Sequence, residues 1–60
     1  MVVKFTWKTA DLNGQSFTIE HKDGTMRCLE TGLSIKKDEE YFKFFTDTMA
    51  QFADIEFLEL

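Results

Sequence analysis

Apolar and polar residues alternate in three stretches of the first half of the chain. In the first stretch, Val3, Phe5 and Trp7 are separated by lysine and threonine residues. A period of two places alternate side chains on one face, so each stretch predicts a β-strand with one apolar side. The three strands form a predicted antiparallel meander, which covers residues 2–10, 15–22 and 25–30.

The first predicted turn has two possible lengths, and the register decides between them. A two-residue Asn13–Gly14 turn would divide the apolar groups between the two faces of the hairpin. A three-residue loop, Leu12–Gly14, gathers them on one face and suits a type I turn with a glycine bulge. We therefore prefer the longer loop. It places Trp7 opposite Ile19, Phe5 opposite His21 and Thr9 opposite Phe17.

The second predicted turn is the dipeptide Asp23–Gly24. A two-residue loop here sets His21 opposite Met26 and Ile19 opposite Cys28. Met26 and Cys28 then join the apolar face of the sheet, and the residues between and beside them point away.

Apolar residues recur at steps of three and four in the second half, which predicts one amphipathic helix over about residues 36–53. Ser34 or Asp38 would cap its N-terminus, and the weak helix formers at 46–48 allow a break there. The predicted apolar stripe consists of Tyr41, Phe42, Phe45, Met49 and Phe52.

The last six residues predict a short strand, with Ile55 and Phe57 on one face and Leu58 and Leu60 on the other. The order of elements predicts a single α+β domain over residues 1–60. We expect a two-layer βββαβ fold, in which an antiparallel meander sheet carries one amphipathic helix packed on one face.

The size of the chain limits where function can be located. A chain of 60 residues has a thin core and needs its large side chains to fill it, so we expect function on the outer surface. The single cysteine excludes an intramolecular disulfide and fits a reducing compartment. The chain lacks a signal-peptide pattern and any apolar run of about 20 residues. We expect a soluble cytoplasmic protein.

Charge is distributed unevenly along the chain. Residues 1–30 carry four basic and four acidic side chains, whereas residues 31–60 carry three basic and seven acidic ones, which places the whole net charge of −4 in the second half. Phosphate contacts need basic side chains, so we expect no direct binding to nucleic acid or to an anionic membrane. An acidic field instead favours a basic partner.

The residues that could carry catalysis are few. His21 is the only histidine, and the predicted register gives it no nucleophile or carboxylate as a partner, so we interpret it as structural rather than catalytic. Cys28 is predicted to pack as a small apolar residue, with a reactive thiol as the alternative. The sequence shows no metal-ligand spacing. We expect neither an enzyme, nor a cofactor, nor a metal site.

The acidic residues of the second half and two aromatic residues are the candidates for partner binding. Taken singly, each acidic residue is better interpreted as capping the helix or solvating its surface, and only together do they indicate a basic partner. Phe44 lies about 40° beyond the edge of the apolar stripe, so it is either a flanking core residue or an exposed anchor. The candidate partner-binding residues are Asp38, Glu39, Glu40, Tyr41, Phe44, Asp47 and Asp54.

From its start, MVVKFTWKTADLNGQSFTIEH, to its end, YFKFFTDTMAQFADIEFLEL, the chain resembles the Dmd family of antitoxins from T-even bacteriophages. The likeness spans the whole chain and involves no single motif. It implies a protein that binds and inhibits a host endoribonuclease toxin of the RnlA or LsoA type, and so stabilises phage mRNA in the cytoplasm of the infected bacterium. The acidic helix face would enter the basic RNA-binding or active-site groove of the toxin.

Two other binding functions remain open. A small acidic phage inhibitor could mimic DNA and block a host nuclease or repair enzyme, but it would need carboxylates repeated along one edge. The C-terminal strand could also be a free edge that pairs with another chain in an oligomer. We expect a monomer when the chain is free.

Overall fold

The structure is a computed structural model, and it describes residues 1–59. Five strands form one antiparallel sheet, and a single helix lies between the fourth and fifth strands along the chain. This confirms the predicted α+β class with a helix on one face of a meander sheet. The elements are β1 (Val2–Trp7), β2 (Ser16–Lys22), β3 (Thr25–Cys28), β4 (Ser34–Lys36), α1 (Glu39–Met49) and β5 (Ala53–Glu59).

The strand order is β4-β3-β2-β1-β5. The first four strands are therefore a continuous meander, and α1 crosses the sheet to bring β5 beside β1. Among residues 1–59, no helix combines the length and the apolar composition needed to cross a bilayer.

The short strand β4 occupies residues that the sequence assigned partly to the helix. Its three residues are all exposed, so no alternation of buried and exposed positions marks it. Ile35 pairs with Met26 across the sheet. The helix begins after β4, where the Asp38 carboxylate accepts a hydrogen bond from the main-chain N–H of Tyr41 at 2.8 Å. Of the two predicted caps, Asp38 is the one used, and the helix is shorter than predicted at both ends.

The predicted register of the first hairpin is wrong. Phe5 pairs with Phe17 and Val3 with Ile19, so the connection between the strands is longer than three residues. Both registers keep the same residues on the apolar face, and alternation cannot distinguish them. Contacts between particular side chains favour the observed one, because the Phe5 and Phe17 rings stack with their centroids 4.9 Å apart.

The second hairpin matches its prediction. His21 pairs with Met26 and Ile19 with Cys28. Asp23 and Gly24 have φ angles of 53° and 73°, which are the two left-handed residues of a type I′ turn. Aspartate and glycine tolerate this conformation, and its twist matches that of the flanking strands.

The core lies between the sheet and the helix. The sheet contributes most of the buried residues, and Phe42 is the one fully buried aromatic residue of the helix within the described chain. Phe45 packs edge-on against Phe5 at 5.5 Å. Tyr41 and Phe52, which the sequence assigned to the apolar stripe, are exposed instead. Tyr41 lies on the flank of the helix, and Phe52 follows the end of the helix at Met49.

The helix continues through the weak helix formers at 46–48. Thr46 is buried, and its hydroxyl donates to the main-chain oxygen of Phe42 at 2.9 Å. The hydroxyl is thereby satisfied within the helix, so no break is needed at this position.

The predicted C-terminal strand forms, but it begins at Ala53, two residues before its predicted start. Ile55 and Phe57 lie on one face, opposite Phe5 and Val3 of β1. The register shifts between Val2 and Val3, and this irregularity leaves Leu58 without a partner on β1. Leu60, which the sequence assigned to the same strand, lies outside the described residues.

Candidate partner-binding surface

The outward side of α1 carries an aromatic residue between two carboxylates. Phe44 follows the buried Phe42 by two residues, or about 200° around the helix, and 66% of its surface is exposed. Glu40 precedes Phe44 by one turn and Asp47 follows it by three residues, so the three side chains are neighbours on one face. We call these three residues the outward helix face. The interpretation of Phe44 as a flanking core residue is therefore wrong.

The other predicted acidic residues already have partners. Asp38 caps the helix. Glu39 lies 3.7 Å from Lys43 one turn later, and Asp54 lies 4.0 Å from Lys8. Exposed pairs of this kind contribute little stability, but each one offsets the negative charge locally.

Within residues 1–59, Glu40 and Asp47 have no ion-pair partner. These two carboxylates flank Phe44. The uncompensated charge and the exposed ring of the helix therefore coincide at one place.

Tyr41 lies beside the outward helix face rather than in it. It is three residues before Phe44 and lies about 60° to one side of it around the helix, whereas Glu40 and Asp47 lie to the other side. The Lys37 ammonium lies 4.6 Å from the centre of the Tyr41 ring, a cation–π distance. One face of Tyr41 is therefore covered by the chain itself.

Asp54 is not brought together with the helix residues. It pairs with Thr6, and its neighbour in sequence, Ile55, faces the helix. The Asp54 side chain consequently lies on the opposite side of the sheet. Six of the seven predicted residues thus lie on or beside α1, whereas Asp54 lies on the face of the sheet that points away from the helix.

The sheet face that points away from the helix, here called the outer sheet face, was not recognised from sequence. Glu20 pairs with Arg27 and Lys4 with Glu56 across neighbouring strands. Opposite charges in such positions attract, so this face has little net charge. The charged residues that its strands place on this face are Lys4, Lys22, Arg27, Lys36, Glu20, Asp54, Glu56 and Glu59. Carboxylates and basic side chains are therefore interspersed on this face.

His21 contacts both the helix and the segment that precedes it. Its ring stacks on Phe42 with centroids 5.2 Å apart. A carbonyl oxygen can only accept a hydrogen bond, so Nε2–H of His21 donates to the main-chain oxygen of Lys37, 2.8 Å away. The ring therefore ties β2 to the segment that leads into the helix. Met26 is a neighbour of His21, as predicted. The predicted neighbour on β1, Phe5, is wrong. Met1 lies there instead, and its main-chain oxygen accepts a hydrogen bond from the His21 N–H.

A small groove lies between α1 and β5, and sequence reasoning missed it. It has a volume of about 190 Å³. Phe57 is 55% exposed and forms one of its walls. The groove forms only because β5 returns beside β1, and no local pattern predicts that pairing. The residues around it are Met1, Phe42, Lys43, Thr46, Asp47 and Phe57.

Glu30 supports the sheet from the loop after β3. Its carboxylate accepts from the main-chain N–H of Thr18 at 2.7 Å and from the Thr18 hydroxyl at 2.9 Å. The hydrogen bond from the Thr18 main chain is the largest cause that lowers the pKa of Glu30 below its usual 4.5. The charged carboxylate is therefore the form that the folded state prefers.

We expect Glu30→Gln to lower the free energy of unfolding at neutral pH more than in acid. The folded pKa lies below the unfolded one, so the stability contribution of Glu30 is present above pH 4.5 and is lost as the pH falls through the folded pKa. Urea unfolding of both proteins across this range measures the difference. Asp11→Asn, in an exposed loop, is the control and should show no such trend. A pH-independent difference for Glu30→Gln would contradict the prediction.

Among residues 1–59, no three His, Cys, Asp or Glu side chains lie close enough to hold a metal ion together. Cys28 is half-buried and its Sγ lies 3.7 Å from Oε1 of Glu30.

Comparison of the chain with protein-family models, curated proteins and solved structures gave no match.

Proposed function

We propose that this protein acts by binding a basic surface of another protein through its outward helix face. The observation that carries the proposal is the exposure of Phe44 between the unpaired carboxylates of Glu40 and Asp47. Aromatic residues are enriched in the cores of protein interfaces, where a few central residues carry most of the binding energy. The acidic surroundings select a positively charged partner.

In its specific form, the proposal is inhibition of a host endoribonuclease toxin of the RnlA or LsoA type. An RNA-binding groove must present basic residues to phosphates, and an acidic helix complements such a groove. The net charge of −4 would also accelerate the encounter. The resemblance to phage antitoxins supports this partner, and the outward helix face supplies the surface.

Reversing the charge at Glu40 is expected to slow association with the toxin by about three- to tenfold at low salt, because charges at an interface mainly set the association rate. Asp47→Lys should slow association with the toxin to a similar extent. Stopped-flow or surface-based kinetics with purified toxin measures the rate, and added salt should reduce the difference between the proteins.

Asp11→Lys is the matched control, because it produces the same change in net charge at an exposed loop. If Asp11→Lys slowed association as much as Glu40→Lys, only net charge would matter and the outward helix face would not be the contact. If a saturating concentration of the natural chain left RNA cleavage by both toxin types unchanged, the toxin assignment would be wrong.

A further inference from the structure

The two edges of the sheet differ in their protection against pairing with another strand. The edge strand β4 has only three residues and ends in Lys36, with Lys37 next. A short strand and lysine residues are common devices that prevent edge-to-edge pairing. The other edge strand, β5, has seven residues. Its length makes it the one edge in residues 1–59 that could accept a further strand.

The N–H and C=O groups of β5 point alternately toward β1 and toward the free edge of the sheet. Lys8 N–H donates to the Phe52 oxygen at 2.9 Å, in the same register that pairs Lys4 with Glu56. Hydrogen-bonded and non-hydrogen-bonded pairs alternate along antiparallel strands. Glu56 therefore exchanges hydrogen bonds with β1, whereas the N–H and C=O groups of Ile55 and Phe57 point to the free edge.

The side chains of β5 alternate in chemistry as well as in direction. Asp54 and Glu56 lie on the outer sheet face, and Ile55 and Phe57 lie on the face toward the helix. Beside Phe57 is the groove of about 190 Å³ between β5 and α1. An added strand would therefore meet carboxylates on one side and an apolar wall with an adjoining groove on the other.

The charges of β5 discriminate between possible occupants of this edge. If two copies paired antiparallel about Ile55, Asp54 of each copy would lie opposite Glu56 of the other. Like charges directly opposite each other destabilise a strand pair, and both copies carry a net charge of −4. In that register a second copy is therefore disfavoured, whereas lysine or arginine at the same positions would be attracted.

We propose that β5 accepts an extended segment of a partner protein as a sixth strand, and that this segment alternates lysine or arginine with apolar residues. Its basic side chains lie over Asp54 and Glu56, its apolar side chains lie beside Ile55 and Phe57, and its main chain bonds to those two residues. Addition of a strand to an open sheet edge is a known mode of peptide recognition. The groove beside Phe57 includes Asp47 of the outward helix face, but the proposal uses neither Phe44 nor Glu40 and does not depend on the toxin assignment.

The test uses a synthetic peptide that alternates lysine and valine over the seven residues of β5. At saturating peptide, the amide hydrogen exchange of Ile55 and Phe57, followed by NMR, should slow by about tenfold, because their N–H groups gain partners. The amides of Asp54 and Glu56 already bond to β1 and should change less. Unchanged exchange at Ile55 and Phe57 would overturn the proposal.

Two control peptides separate strand pairing from simple charge attraction without altering the protein. A peptide with glutamate in place of lysine should bind at least about tenfold more weakly. A lysine–valine peptide that is N-methylated at every residue should give no protection, because neither of its edges can then donate hydrogen bonds to β5. Equal binding by the glutamate peptide, or equal protection by the methylated one, would overturn the proposal.

The double variant Asp54→Lys, Glu56→Lys tests the same charges from the other side. It should bind the lysine–valine peptide about tenfold more weakly than the natural chain and should prefer the glutamate peptide. Light scattering of the natural chain without peptide completes the test. A dimer in which Ile55 and Phe57 are already protected would show that a second copy occupies the edge, contrary to the proposal.

Discussion

Replacement of Phe42 by alanine is expected to leave much of the chain unfolded at room temperature. Phe42 is fully buried, and truncation of a buried phenylalanine costs about 3–5 kcal/mol. A domain of 60 residues has a total stability of roughly 3–9 kcal/mol. The loss is thus comparable to the whole stability.

The structural reason is that Phe42 connects both layers. Its ring stacks on His21 of β2, and its main-chain oxygen accepts the hydroxyl of the buried Thr46. Without the ring, the helix loses its central contact with the sheet. Urea unfolding followed by circular dichroism measures the change.

The same helix offers a matched control in Phe44→Ala. This variant removes the same ring two residues away, at a position that is 66% exposed. We expect its free energy of unfolding to stay within about 0.5 kcal/mol of the natural chain, as is usual for exposed positions. Similar losses for Phe42→Ala and Phe44→Ala would contradict the observed orientation of the helix.

Phe44→Ala should, in contrast, weaken partner binding by about 2 kcal/mol or more, which is roughly a thirtyfold increase in Kd. An aromatic ring buried at the centre of an interface commonly has an effect of this size. Calorimetry with the proposed toxin partner measures the change. Because the variant should remain folded, the loss reports the interface directly.

Leu33→Ala is the control for this prediction, since it truncates an apolar side chain that is 73% exposed and outside the helix. It should leave Kd almost unchanged. Equal losses from Leu33→Ala and Phe44→Ala, or no loss from Phe44→Ala, would show that the interface lies elsewhere on the surface.

Periodicity predicted the elements of this fold better than their pairing. The α+β class, the Asp23–Gly24 turn and the placement of Ile55 and Phe57 on one face follow from local patterns. The register of the first hairpin does not, because a shift by whole two-residue steps preserves the same apolar face. Ring stacking between Phe5 and Phe17 belongs to the tertiary structure and leaves no local signal.

The candidate surface was predicted only in part, for a related reason. Helical spacing placed Phe44 near the edge of an apolar stripe that included Tyr41 and Phe52. The helix ends at Met49 and packs through Phe42, so the centre of its buried side is rotated away from Phe44. The pairing of Glu39 with Lys43 and of Asp54 with Lys8 depends on side-chain geometry that spacing alone does not fix.

The position of β1 between β2 and β5 has a consequence for the order in which the fold assembles. Val3 pairs with Ile19 nearby in sequence and with Phe57 far from it. Contacts between distant residues form more slowly, because a longer loop must close first. The meander of β1 to β4 can therefore form early. The other edge of β1 has no partner until β5 is synthesised and pairs with it.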